Sequence, residues 1–201
     1  MDYRQLLKNY REGHDFEICC REVKGSDFAV MSPHGGGIEP GTTEVSRTVA
    51  GDEYNYYSFV AKKYWGNEAL HLKSTFFDEP RALELLEKSE TCLAIHGCDD
   101  KEKFVYIGGL NEELISTVTD NLESYNFQVE EAPLRLAAVY SSNICNRCRS
   151  GKGVQLELSY GLRKNMYENV DRRYGRKTVT DYFYQFVDAV RKAIILYKSL
   201  K

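Results

Sequence analysis

Short apolar runs of strand length alternate along this chain with segments of helical period, and that alternation limits the fold more than any other feature. Phe16 to Val23 and Phe28 to Met31 are strand candidates, the second ended by Pro33 and the glycines after it. Thr43 can cap a short helix toward Ala50, with Gly51 as its stop. Tyr54 to Val60 reads as an aromatic-rich strand, and Leu70 to Ser74 as another, with His71 and Lys73 on one face. Asp78-Glu79-Pro80 opens a helix with Leu83 and Leu86 on one stripe. Thr91 to His96 (TCLAIH) suits a buried central strand, and Phe104 to Ile107 follows. Asn111 can cap a helix carrying Leu114, Ile115, Val118 and Leu122, and Val154 to Tyr160 alternates as a strand. In Thr180 to Leu200, the residues Phe183, Phe186, Val187, Val190, Ile194 and Tyr197 keep the spacing of a helix face. There is no internal repeat and no Pro/Ser-rich linker. The expected fold class is α/β, a single domain over residues 1–201 with a mixed β-sheet flanked by helices. A chain of 201 residues can bury roughly 70% of its unfolded surface and needs no staples.

Charge narrows the partners. Lys and Arg number 27 against 30 acidic residues, a net charge of −3, which argues against a nucleic-acid partner. No run of 18 apolar residues exists, so no membrane-spanning helix is expected. The opening MDYRQLLKNYREGHDFE is charged throughout and lacks an apolar signal core, so the expectation is a cytoplasmic product with no membrane partner. Six cysteines, two of them adjacent at Cys19 and Cys20, fit reduced thiols better than a disulfide framework. Cys145 and Cys148 have a CxxC spacing without a second pair, and are read as small residues of a loop rather than a structural metal site. From Arg147 to Lys177 there are nine basic and three acidic residues. This local excess marks either a site for an anionic ligand or a solvated loop face.

Of four histidines, His34 and His96 share a setting: each follows a β-like apolar run and precedes glycine, in AVMSPHGGG and CLAIHGC. Ligands of open α/β sheets bind beyond the carboxyl ends of strands. Glu39 follows in HGGGIE, a loop tight enough to aim both side chains at one point. Two His and a carboxylate with an open position form the ligand set of a catalytic zinc. The alternative is two satisfied strand-end histidines and a surface glutamate. In VQLELS, Val154, Leu156 and Leu158 point one way, and Gln155, Glu157 and Ser159 the other. Glu157 is the candidate proton handler, or else a solvent-facing strand residue. His71 is read as a core histidine or a neighbour of the site, not a ligand.

These segments resemble the bacteriophage poly-γ-glutamate hydrolases and their bacillar relatives. The resemblance rests on HGGGIEPGT (His34 to Thr42), LHLKSTFFDEP (Leu70 to Pro80), AIHG (Ala94 to Gly97) and GKGVQLELS (Gly151 to Ser159), in order across most of the chain. It implies a zinc carboxypeptidase-like core, an open mixed sheet with helices on both sides. It implies one Zn2+ per chain held by His34, Glu39 and His96, with Glu157 as general base and acid. Carboxypeptidases separate the first His and Glu by two residues; here four intervene. That spacing belongs to the hydrolase branch and argues against carboxypeptidase-type exopeptidase specificity.

The implied reaction is hydrolysis of γ-glutamyl amide bonds in poly-γ-glutamate, with Glu157 activating the attacking water at the zinc. Each polymer unit bears a free carboxylate, so the basic stretch around Glu157 becomes the expected binding region. Arg147, Arg149 and Arg163 are the candidates, because guanidinium pairs bidentately with carboxylate. The rival readings are a zinc amidohydrolase that deacylates a small acidic N-acyl amino acid, and a non-catalytic binder of anionic polymer. A monomer is expected, reaching an extracellular polymer by release on cell lysis.

Overall fold

Four parallel strands fix where the chain's polar residues can meet. In the computed structural model, which describes residues 1–201, the sheet has seven strands: β1 (Phe16–Arg21), β2 (Phe28–Gly36), β3 (Asn55–Ala61), β4 (Thr91–Cys98), β5 (Val105–Gly109), β6 (Val129–Glu131) and β7 (Val154–Ser159). Their order is β1-β3-β2-β4-β7-β5-β6. The central β3, β2, β4 and β7 run parallel, and β1 and β5 join antiparallel to β3 and β7. The sheet is therefore mixed and open, as expected.

Alternation along the central strands divides the core in two. Val30, Leu93, Ile95, Val154, Leu156 and Leu158 face α2 (Thr42–Ala50), α4 (Glu112–Ser124), α5 (Tyr160–Met166) and α6 (Asp181–Ser199). Ala29, Met31, Cys92 and Ala94 face the other way, toward α1 (Tyr3–Leu6), α3 (Pro80–Glu87) and the 3-10 turn at Ile144–Arg147. Helices thus cover both faces. The starts of α3 and α4 follow from sequence. Glu79 accepts from the Ala82 amide with Pro80 at the first helical position, and Asn111 accepts from the Leu114 amide at 3.1 Å. Cys145 and Cys148 lie buried with Cys92 in the second apolar cluster, where burial pushes the Cys145 thiol upward.

Three local expectations change. β2 does not stop at Pro33. It pairs with β4 only over Phe28–Met31, shifts register between Ser32 and Gly35, and resumes against β3 at Gly35 and Gly36. Proline is tolerated at that irregularity because its missing N–H falls where the ladder is already broken. Gly36, at φ +70°, lies so close to Ala61 that a Cβ would sit 2.3 Å from the Ala61 oxygen. Leu70 to Ser74 is not a strand but an extended link between 3-10 turns at Asn67–Leu70 and Ser74–Phe76. Its alternation is real, with Leu70 and Leu72 buried and His71 and Lys73 outward. The edge of β3 is already taken by β1 along Tyr56 to Ala61, so the segment packs across strand ends instead. Thr43 does not cap α2. Gly41 holds the N-cap position, and Thr43 Oγ1 accepts from the Gly36 amide at 3.0 Å and meets Ser58 Oγ at 3.1 Å.

Candidate metal centre

The parallel strands β2, β4 and β7 deliver His34, His96 and Glu157 to the same edge of the sheet. His96 and Glu157 are register partners on adjacent strands. Below the His34 turn, Ser32, Ser46, Ser58 and Thr43 form a buried hydroxyl network with contacts of 2.7, 2.9 and 3.1 Å. Such a network, fully satisfied, holds the turn in one geometry. The Glu39 amide donates to the His34 carbonyl at 2.9 Å, folding the HGGGIE loop back on itself.

That fold brings the donor atoms of three residues together. His34 Nδ1 lies 2.9 Å from Glu39 Oε1 and 3.1 Å from His96 Nδ1, and His96 Nδ1 lies 3.5 Å from Glu39 Oε2. Ligand atoms placed 2.0 to 2.1 Å from a tetrahedral ion lie about 3.3 Å apart. The three residues therefore form a triangle of about the size of one face of such a site, its two Glu39 edges ending on different carboxylate oxygens. His34 Nε2 meets the Leu72 carbonyl at 2.6 Å, so Nδ1 is the nitrogen left to bind an ion. His71, half-exposed, completes a second grouping with His34 and Glu39 whose ligand atoms lie within 4.8 Å of one another. Its ring stacks 4.0 Å from that of His34, and its Nε2 is 4.0 Å from Glu39 Oε1. His71 thus lies beside the triangle and itself belongs to a group of three residues that could hold an ion.

Charge at the centre is strongly perturbed. Burial penalises the Glu39 carboxylate, but His34 and His96 outweigh it and hold the group well below the usual range. Burial likewise opposes a charged His96, yet Glu39 drives it upward. Burial, together with His34, pulls His71 down to about 4. Glu157, only 4% exposed, is pushed up to about 7 by burial, against the pull of His96. Gln155 Nε2 donates to Glu157 Oε1 at 2.9 Å and to the Leu136 carbonyl at 3.0 Å. Asn143 holds Gln155 in turn at 3.2 Å. A buried carboxyl poised near neutrality beside a metal-sized triangle has the properties of a general base.

The centre floors a cleft of 1040 Å³ whose walls include Lys73, Ser74, Asp99, Asp100, Arg135 and Tyr140. His34, Glu39, His96 and Glu157 all line it. None of the three arginines expected to bind substrate does. Arg147 is exposed at the end of its 3-10 turn, outside the cleft. Arg149 pairs with Glu90 at 2.8 Å, and its amide bonds to Ser89 before β4 begins, at the opposite end of the sheet. Arg163 is 2% exposed and donates to three backbone carbonyls. The cations that do line the cleft, Lys73 and Arg135, are not marked as ligand groups by sequence patterning. Lys73 lies in a segment that carried the resemblance, which was a usable signal. Arg135 sits in a loop without periodicity, and nothing in its sequence context marks it.

The poly-gamma-glutamate hydrolase family model matches residues 1–189. The chain belongs to that family. It is 34% identical to a solved bacteriophage poly-gamma-glutamate hydrolase, with a TM-score of 0.95 over 100% of this chain and 98% of that one. A solved zinc-free structure of YndL matches at 30% identity and a TM-score of 0.88, covering 95% of each chain. The UPF0714 protein YndL of Bacillus subtilis strain 168 is 32% identical over 92% of this chain and 73% of its own length. No helix is long and apolar enough to cross a membrane.

Proposed function

We propose that the protein is a zinc-dependent hydrolase of γ-glutamyl amide bonds in poly-γ-glutamate, with one Zn2+ held by His34, Glu39 and His96. The observation that carries this reading is the convergence of His34 Nδ1, His96 Nδ1 and the Glu39 carboxylate, with contacts of 2.9, 3.1 and 3.5 Å, beside a buried carboxyl at the floor of an open cleft. A zinc ion held by these residues would supply Lewis-acid polarisation of an amide carbonyl and the acidification of water to a pKa of roughly 7.

The chain's own residues do the rest. Gln155 occupies Glu157 Oε1 and leaves Oε2 to take a proton from the attacking water. The same oxygen returns it to the leaving nitrogen as the amide breaks. The Leu72 carbonyl holds the His34 ring through Nε2, and the Gly97 amide donates to Glu39 Oε2 at 2.9 Å, so both ligands are oriented before an ion arrives. Lys73 and Arg135 stand on the cleft walls, and we assign them the free carboxylates of the units flanking the scissile bond. The sequence expectation gives this role to Arg147, Arg149 and Arg163, but none of them lines the cleft.

The test is polymer length. Zinc-loaded protein should shorten poly-γ-glutamate on a sizing column, a chelator should stop it, and added zinc should restore it. Zinc-loaded, folded protein that leaves the polymer intact would overturn the reading.

A further inference from the structure

Arg163 is the most deeply buried cation of the chain's basic stretch, and no carboxylate pairs with it within hydrogen-bond distance. An isolated charge taken out of water is costly unless its donors are satisfied. Here three carbonyls satisfy them. Nε donates to Leu158 at 3.1 Å, Nη1 to Pro40 at 2.7 Å and Nη2 to Cys98 at 2.8 Å. Those carbonyls belong to three separate segments. Pro40 follows Glu39, Cys98 comes two residues after His96, and Leu158 follows Glu157. Each segment carries one member of the site. The guanidinium also lies flat against the backbone beside His96: a Cβ on Gly97 would sit 2.8 Å from Cζ and 2.9 Å from Nε.

The local sequence aims the side chain there. Ser159 ends β7 and caps α5, accepting from the Leu162 amide at 3.1 Å while its hydroxyl donates to the Glu102 carbonyl at 2.6 Å. The strand therefore turns into the helix with no slack, and Arg163, the fourth residue of α5, is directed back across the strand ends. A planar fork with donors pointing in several directions can bridge three carbonyls at once; an ammonium, a point charge on a flexible stem, cannot match that geometry.

We propose that Arg163 is a positioning residue that sets the mutual spacing of Glu39, His96 and Glu157 through one buried guanidinium clamp on the backbone beside each of them. The inference rests on the assignment of those residues as zinc ligands and general base. It gives the arginine a role distinct from substrate binding, because its fork faces the chain and not the cleft.

The experiment compares the parent with Arg163→Gln and Arg163→Lys. Zinc affinity is measured by chelator competition without substrate, and kcat and KM on poly-γ-glutamate are measured separately. Loss of the clamp should weaken zinc binding and lower kcat by roughly 10- to 100-fold each, the usual effect of removing a group that orients metal ligands. KM should stay within about twofold, and Arg163→Lys should rescue only part of the loss. Unchanged zinc affinity and kcat with a raised KM would overturn the inference in favour of a substrate contact. No change in any quantity would also overturn it. If Arg163→Gln fails to fold, Gly97→Ala displaces the guanidinium while leaving its charge, and should weaken zinc binding in the same direction; full zinc affinity in that variant counts against the clamp. A parent protein that binds no zinc would overturn the ligand assignment itself, and this inference with it.

Discussion

The two ends of the sheet treat charge in opposite ways. At the amino-terminal ends of β2 and β4, a cavity of 520 Å³ is lined by Asp27, Glu90, Glu113, Lys152, Lys198 and Lys201 among others. There the charges cancel locally. Lys198 pairs with Asp27, Lys201 with Glu113 at 2.8 Å, and Arg149 with Glu90 at 2.8 Å. All of these side chains are substantially exposed. At the carboxyl ends, His34, His96 and Glu157 are 2%, 1% and 4% exposed, and the exposed cations on the wall, Lys73 and Arg135, share it with Asp99 and Asp100, Arg135 lying close enough to Glu157 to act on its charge. Burying ionisable groups works against stability, whereas the exposed cations Lys73 and Arg135 are solvated at little cost. Buried ionisable groups kept at that cost mark a site built for a ligand, whereas the other end satisfies its own charges.

Removing one corner of the triangle should break this contrast most severely. His34→Ala or His96→Ala should abolish stoichiometric zinc and reduce turnover by at least about 10³-fold, since a tetrahedral site with two protein ligands left holds the ion poorly. His71→Ala should keep one zinc per chain, because its Nε2 stands 4.0 Å from Glu39, beyond the edge of the triangle. Metal analysis of the three variants decides the matter: loss of zinc in His71→Ala with retention in His96→Ala would redraw the ligand set.

Glu157→Gln comes next. The amide keeps the shape but cannot accept a proton, so kcat should fall by roughly 10²- to 10⁴-fold, about 3 to 5 kcal/mol of transition-state stabilisation. Zinc content should persist. The metal-free protein offers a second reading of the same residue. Burial raises the Glu157 carboxyl from 4.5 to about 7 in the folded state. Between those values the unfolded chain ionises while the folded one retains its proton, so the parent loses stability as pH rises through that window. Glu157→Gln should remove that loss. Its melting temperature should match the parent at pH 4 and exceed it at pH 8. A variant no more stable than the parent at pH 8 would show that Glu157 is solvated.

The comparison also explains what could be read from the sequence. Strand runs such as TCLAIH and VQLELS are legible because burial on one or both faces writes itself into local periodicity. His34, Glu39 and His96 were legible because glycines beside strand ends permit close approach, and the family resemblance chose between the two readings of that pattern. The arginines were not. A count of nine basic residues over a stretch records charge along the chain, but the stretch crosses the sheet. Arg149 emerges at one end, Arg163 is buried at the other, and Arg147 faces solvent between elements. Which of them meets a ligand depends on the direction of β7 and on the turn into α5, both properties of the assembled sheet. The same holds for Arg135 and for β6, a three-residue strand with two acidic residues and no apolar pattern of its own.

Substrate contacts should show a smaller effect than the chemistry they serve. Arg135→Ala and Lys73→Ala each remove one unpaired cation from the cleft. Each should raise KM on poly-γ-glutamate by roughly 5- to 20-fold, the worth of one charge-assisted hydrogen bond, with little change in kcat. Salt should raise KM for the parent and act more weakly on the double variant, because screening weakens what the substitutions delete. Two variants with the parent's KM and the parent's salt response would return the carboxylate-binding role to groups elsewhere.

The smallest effect is expected at the other end of the sheet, and it tests whether that end is as self-contained as its pairing implies. Arg149→Ala breaks the pair with Glu90, and Lys198→Ala the pair with Asp27. Both pairs are largely exposed to water, where an ion pair contributes roughly 0 to 1 kcal/mol. For a domain of this size that corresponds to a fall in melting temperature of no more than about 4 °C. Turnover, KM and zinc content should equal those of the parent, since no side chain there reaches the cleft. Arg149 makes the sharper test, because the sequence alone places it among the substrate-binding candidates. A normal melting temperature with a KM raised as far as in Arg135→Ala would mean that the polymer runs past the sheet end to reach it. In that case the two ends would be parts of one binding surface, and the contrast drawn between them would fall.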